Sequence, residues 1–144
     1  ELFHRAIELE PEYAEALACA AWGYEQRFTR GWKLYSANDL KMGAMLARRA
    51  IETKTEDPVS LVLSGFVLII SQMDVEFGIL TTKRALRNNP NIGFVFMIGG
   101  TALLYAGENN ASAVDYLEAA LKISPRDPMA FGIYCSLSAL PLGC

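Results

Sequence analysis

Arg84-Ala-Leu-Arg-Asn-Asn-Pro90 and Ala119-Ala-Leu-Lys-Ile-Ser-Pro125 are built alike: a small residue, an aliphatic one, a short run and a closing proline. The same order stands in Arg5-Ala-Ile-Glu-Leu-Glu-Pro11. It stands again in Arg49-Ala-Ile-Glu-Thr-Lys-Thr55, with Thr55 in the proline's place. The anchor alanines Ala6, Ala50, Ala85 and Ala120 are 44, 35 and 35 residues apart. Each stretch reads as the end of a helix. The alanine lets a neighbouring helix come close, and the aliphatic residue enters the core. Proline then stops the helix, because it lacks an N–H and clashes with the preceding turn. It also suits the first turn of the next helix.

The stretches between these ends read as two helices each. Residues 13–27 place Ala14, Leu17, Ala18, Ala21, Trp22 and Tyr24 on a broad apolar face. Residues 59–73 and 92–106 are apolar nearly all round, which predicts helices buried on every side. Their partners are amphipathic. In 39–54, Leu40, Met45, Leu46 and Ala50 are expected inward, with Lys41, Arg48, Arg49 and Glu52 outward. Residues 75–87 and 111–123 follow the same pattern. Ser64-Gly65 and Gly99-Gly100 lie inside apolar helices, where small residues allow close approach.

These units resemble tetratricopeptide (TPR) repeats, whose period is about 34 residues. The large-small set of that family's helix A is matched by Leu17, Ala21 and Tyr24, then by Leu61, Gly65 and Leu68. Its helix B set is matched by Phe3, Ala6 and Pro11, by Gly78, Ala85 and Pro90, and by Ala113, Leu117, Ala120 and Pro125. The resemblance implies an all-α fold, a right-handed superhelical solenoid of antiparallel helix pairs with about eight helices. It divides a single array into a partial unit 1–10, a unit 11–57 with an insertion at 29–38, units 58–91 and 92–126, and a partial unit 127–144. The inserted unit, the Arg-Arg-Ala-Ile-Glu run and the late Ser-Pro-Arg-Asp-Pro further resemble C-terminal TPR regions of bacterial signalling proteins. Those regions follow a class III adenylate or guanylate cyclase domain, or a winged-helix DNA-binding transcription regulator domain. An attached domain of either kind is the alternative to a stand-alone adaptor.

Composition narrows the classes. With 52% apolar and 20% charged residues in 144, the chain can bury a sizeable core and is no disordered linker. A net charge of −3 argues against a dedicated nucleic-acid binder. The longest charge-free apolar run, 92–107, has 16 residues and four glycines, short of a membrane span. Cys19, Cys135 and Cys144 are odd in number and too few for a disulfide framework, which points to a reducing cytoplasm. The lone histidine, His4, cannot build a His-rich metal site. No Gly-rich phosphate loop, Gly-x-Ser-x-Gly elbow or Cys-x-x-Cys pair is present. The segment is therefore read as non-catalytic, with no cofactor and no metal.

In the TPR family the A helices line a concave groove and the B helices cover the outside. Residues 11–26, 58–73, 92–107 and 128–144 contain no Lys, Arg or His. All basic residues are thus expected on B helices or connections, leaving an apolar-to-acidic groove. Such a groove disfavours the carboxylate-clamping mode of some TPR domains, and phosphate backbones too. It suits an apolar or amphipathic protein or peptide segment. Candidate groove contacts are Glu15, Trp22, Glu25, Phe66 and Tyr105; the alternative for the aromatics is packing between A helices. Trp32, in the aromatic-basic insertion with Phe28 and Tyr35, is either a loop contact or a cover over the first hairpin. Gly31 permits a tight turn there, and Ser36 or Asn38 can cap the helix that follows. The basic sets Lys83, Arg84, Arg87 and Arg48, Arg49 read as solvated faces. The charge-free last stretch, stopped by Pro141, is expected to continue into a longer protein or to pair with a second copy of the chain.

Overall fold

The computed structural model describes residues 2–31, 36–88, 91–108, 110–138 and 140. Trp32, Tyr35, Pro90, Pro141 and Cys144 lie outside the described residues. Among those described there are eight α-helices and no strand. They are α1 (Leu2–Leu9), α2 (Ala14–Thr29), α3 (Ala37–Glu52), α4 (Pro58–Ile70), α5 (Val75–Asn88), α6 (Gly93–Tyr105), α7 (Asn110–Ile123) and α8 (Ala130–Ser138).

Local chemistry sets the ends. Ser36 is the N-cap of α3, and its backbone N–H donates to Asp39 Oδ2 at 3.1 Å. Asp39 also faces Arg27 Nη2 at 3.4 Å, which ties α2 to α3 across the inserted loop. Pro58 opens α4 behind Asp57, whose carboxylate accepts from the Ser60 N–H at 2.7 Å. At the other ends Gly31, Lys54, Gln72 and Gly107 take left-handed φ values of 59°, 61°, 56° and 71°. At Gly107 its own N–H reaches Leu104 O and the Glu108 N–H reaches Leu103 O, which satisfies the last carbonyls of α6.

Packing follows chain order. α2 packs on α3, α4 on α5 and α6 on α7; the even-numbered helices then pack in succession, α2 on α4, α4 on α6 and α6 on α8. Among the described residues close backbone approach is confined to helices one or two places apart, and the backbones of the odd-numbered α3, α5 and α7 do not approach each other. α4 is buried continuously from Ser60 to Ile69, and α6 is buried from Val95 to Leu103 apart from Thr101. The unit-closing Ala50, Ala85, Leu117 and Ala120 are buried with them.

Met45 departs from expectation: it is 46% exposed. The inner stripe of α3 is Gly43, Leu46, Ala47 and Ala50, at helical i, i+3, i+4 and i+7 spacing. Two residues from Gly43, Met45 falls on the opposite face.

The tightest crossing joins α4 to α5. A Cβ on Gly65 would stand 2.8 Å from Gly78 O and 2.4 Å from Thr82 Oγ1; one on Gly78 would stand 2.8 Å from Gly65 O. Two backbones are in contact there, and a methyl group has nowhere to go. By contrast a Cβ on Gly23, on the exposed side of α2, would meet nothing within 4 Å. Gly65→Ala should lower stability by about 1–3 kcal/mol in urea unfolding. Gly23→Ala should raise it by about 1 kcal/mol, since it only removes the helix penalty of glycine.

Candidate functional site

One groove of about 630 Å³ runs across the even-numbered helices. α2 and its C-cap contribute Glu25, Gln26, Phe28, Thr29 and Arg30; α4 and the turn after it contribute Phe66, Ile69, Ile70 and Gln72. α6 brings Thr101 and Tyr105, and α8 brings Phe131, Gly132, Cys135 and Ser136. These residues come from the C-terminal parts of α2, α4 and α6, so the groove sits toward one end of the helix row. α8 is held to α6 by Thr101 and Ser136, whose hydroxyl oxygens are 3.2 Å apart. Ser136 spends its proton on Gly132 O at 2.9 Å, so Thr101 is the donor of that pair.

The apolar share of the lining is mixed in exposure. Phe66 is buried, whereas Tyr105 is 70% exposed. Phe131, 67% exposed, faces them from α8. Trp22 lies in an adjoining hollow that shares Gln26, Arg30, Phe66 and Phe131 with the main groove. Its ring meets Phe94 edge-on, with centroids 5.9 Å apart, so α2 touches the first turn of α6 beside α4. Trp22 therefore both packs between even-numbered helices and borders the groove.

The polar share lies along α2. Arg30 Nε donates to Gln26 Oε1 at 2.6 Å, and Gln26 Nε2 donates to Glu25 Oε2 at 2.7 Å. Thr29 Oγ1 donates to the Glu25 backbone O at 3.3 Å. Glu25 is 1% exposed, and its Oε1 has no hydrogen-bond partner. Burial pushes the Glu25 carboxyl above its ordinary value, opposed by the hydrogen bond from Gln26 and by the charge of Arg30.

Of the residues expected in the groove, the structure brings together Glu25, Phe66 and Tyr105, with Trp22 beside them. Glu15 stays apart. It is exposed in the first turn of α2, ten residues and so about 15 Å along the helix from Glu25. Trp32 lies outside the described residues. The expectation of a groove without bases does not hold. α2 continues through Arg27 to Thr29, and Arg30 at its C-cap lines the groove. Sequence reading missed Gln26, Arg30, Phe131 and Ser136. The i, i+4 spacing of Gln26 and Arg30 was the available signal once the helix is extended by one turn.

The basic faces elsewhere are paired. Arg48 bonds Asp74, Arg84 bonds Glu56, and Lys83 Nζ is 2.5 Å from Glu108 Oε2. His4 Nε2 lies 3.0 Å from the Tyr24 hydroxyl, docking α1 on α2. Cys19 is half-buried, and its thiol is pushed up by burial, then by Asp57 and Glu15, which keeps it protonated. Among the described residues no cluster of His, Cys, Asp and Glu could hold a metal ion, and no helix is long and apolar enough to cross a membrane.

No protein-family model matches the chain, and no curated protein matches it.

The raised Glu25 value has a definite sign. The folded chain holds that proton more tightly than the unfolded one, so stability falls as pH rises from the unfolded carboxyl value, about 4.3, through the folded one. Glu25→Gln keeps the shape and removes the charge. It should raise stability by roughly 1 kcal/mol at neutral pH and leave it unchanged near the unfolded carboxyl value, as read from thermal melts across pH.

Proposed function

We propose that this chain is a TPR-type helical-repeat scaffold that binds a protein or peptide segment in the groove across α2, α4, α6 and α8 and performs no chemistry on it. One observation carries the reading: a single groove takes one helix from each successive hairpin, and those helices are the even-numbered ones. In the TPR family the same helices, the A helices, form the concave binding face. The chain-order packing and the closing alanines support that assignment, and with it a right-handed superhelical course for the hairpins. The lining suits binding: aromatic and aliphatic surface on α4, α6 and α8, and a hydrogen-bonded polar edge on α2.

The occupant is an amphipathic segment. Its apolar side lies on Phe66, Ile69 and Phe131, and its polar side meets the Glu25–Gln26–Arg30 edge.

A random linear peptide library displayed on phage supplies the test. Peptides selected on this chain should lose at least about tenfold in affinity when Phe131 is replaced by Asp, the cost of one lost aromatic contact. Phe131 is exposed, so the fold survives the change. Leu80→Asp, on the exposed face of α5, should leave affinity unchanged. Peptides that ignore Phe131→Asp, or that respond equally to both changes, bind elsewhere and refute the reading.

A further inference from the structure

Among the described residues Glu25 is the one carboxylate lining the groove, and its Oε1 is unused. An ionised carboxyl offers about four lone-pair positions. Here Oε2 takes one hydrogen from Gln26, and Oε1 takes none. Glu25 belongs to none of the ion pairs among the described residues. Arg30, whose charge acts on Glu25, has its Nε committed to Gln26 Oε1 instead. Three residues back on the same face of α2, Trp22 Nε1 is a second buried group without a partner. A bare acceptor and a bare donor thus stand one helical turn apart on α2, the first in the groove lining and the second in the adjoining hollow.

The chemistry of the acceptor selects its ligand. One free oxygen suits an ammonium, a compact charge that can bond a single acceptor. A guanidinium is recognised best through both oxygens of a carboxylate, and Oε2 is already engaged. Phe66, Ile69 and Phe131 line the same groove and supply apolar surface on which a four-methylene stem can lie. We propose that the segment bound in this groove presents a lysine whose ammonium donates to Glu25 Oε1, while Trp22 Nε1 donates to a main-chain carbonyl of the same segment. This rests on the peptide-binding reading above and names its specificity residue.

The test starts from the library-selected peptides whose binding is lost with Phe131→Asp. They should carry a lysine at one fixed position relative to their apolar anchors. Replacing that lysine by norleucine or acetyl-lysine should weaken binding at least about tenfold, as expected for a charge-assisted bond removed from a dry site. The difference should vanish in Glu25→Gln, and the Trp22 indole N–H resonance should move on binding of the lysine peptide. Groove-binding peptides without a fixed lysine, or with norleucine as good as lysine, overturn the inference and leave the groove reading standing. Selection of peptides with a fixed acidic residue overturns it in favour of Arg30. If no selected peptide depends on Phe131, both readings fail. The peptide series uses the unaltered chain, so it decides the matter even where Glu25→Gln does not fold.

Discussion

The backbones of α4 and α5 touch where Gly65 meets Gly78, and the placement of the groove depends on that contact. α4 packs on α2, α3, α5 and α6. Its depth in the molecule is therefore set by how closely its partner approaches from behind. With no side chain at either crossing point, α5 draws α4 away from the groove side, and Phe66 and Ile69 become floor rather than obstruction. The next hairpin repeats the device with side chains. Leu86 packs into the space over Gly99 and Leu117 into the space over Gly100, so α6 is seated against α5 and α7 in turn. Glycine weakens a helix intrinsically, by about 1 kcal/mol relative to alanine. Three of these glycines lie in the two helices that are buried nearly all round, where tertiary packing supplies the missing stability.

Against that apolar floor the α2 edge is expensive. A buried polar atom without a partner costs about 1–3 kcal/mol, and a charged one more. Glu25 Oε1 and Trp22 Nε1 are both in that condition. An aliphatic residue at position 25 would extend the apolar wall formed by Leu17, Ala18 and Ala21 at no such cost. The buried Ser64 and Thr82 hydroxyls are unpartnered too, but they sit near the α4–α5 crossing, away from the groove lining. They are short groups in a packed seam. Glu25 is a long one in the lining of an open groove.

Most of the fold is legible in the chain. Alanine and proline placement marks the hairpin ends, and the apolar runs 59–73 and 92–106 become the most buried helices, because a helix enclosed by four neighbours can carry no charge. The glycine pairs are legible as close approaches, though not which helix each one meets. Met45 was misread because its hydrophobicity was counted and its angle was not. The groove was half legible. Glu25, Phe66 and Tyr105 lie at the ends of their helices, and assigning them needs only the helix order. Arg30 needs the exact length of α2. A helix end drawn at Arg27 puts Arg30 in a connection; an end at Thr29 puts it on the groove edge, hydrogen-bonded to Gln26. Glu15 was placed by its helix alone, and position along a helix is what decides access to a groove confined to one end of the row.

The two helix sets are linked along the row in different ways. The even-numbered helices are in direct apolar contact, whereas among the described residues the backbones of α3, α5 and α7 do not approach one another, and Arg48 of α3 reaches the Phe77 ring of α5 with its side chain. The odd-numbered helices pack on the next even-numbered one, α3 on α4 and α5 on α6, and ion pairs lie along that side as well: Arg48 of α3 to Asp74 ahead of α5, Arg84 of α5 to Glu56 ahead of α4, and Lys83 of α5 to Glu108 beyond α6. Each of these pairs is partly exposed, and such pairs contribute only about 0–1 kcal/mol and are screened by salt. The ion pairs on that side therefore add little to what the packing of α4 and α6 against their neighbours already fixes.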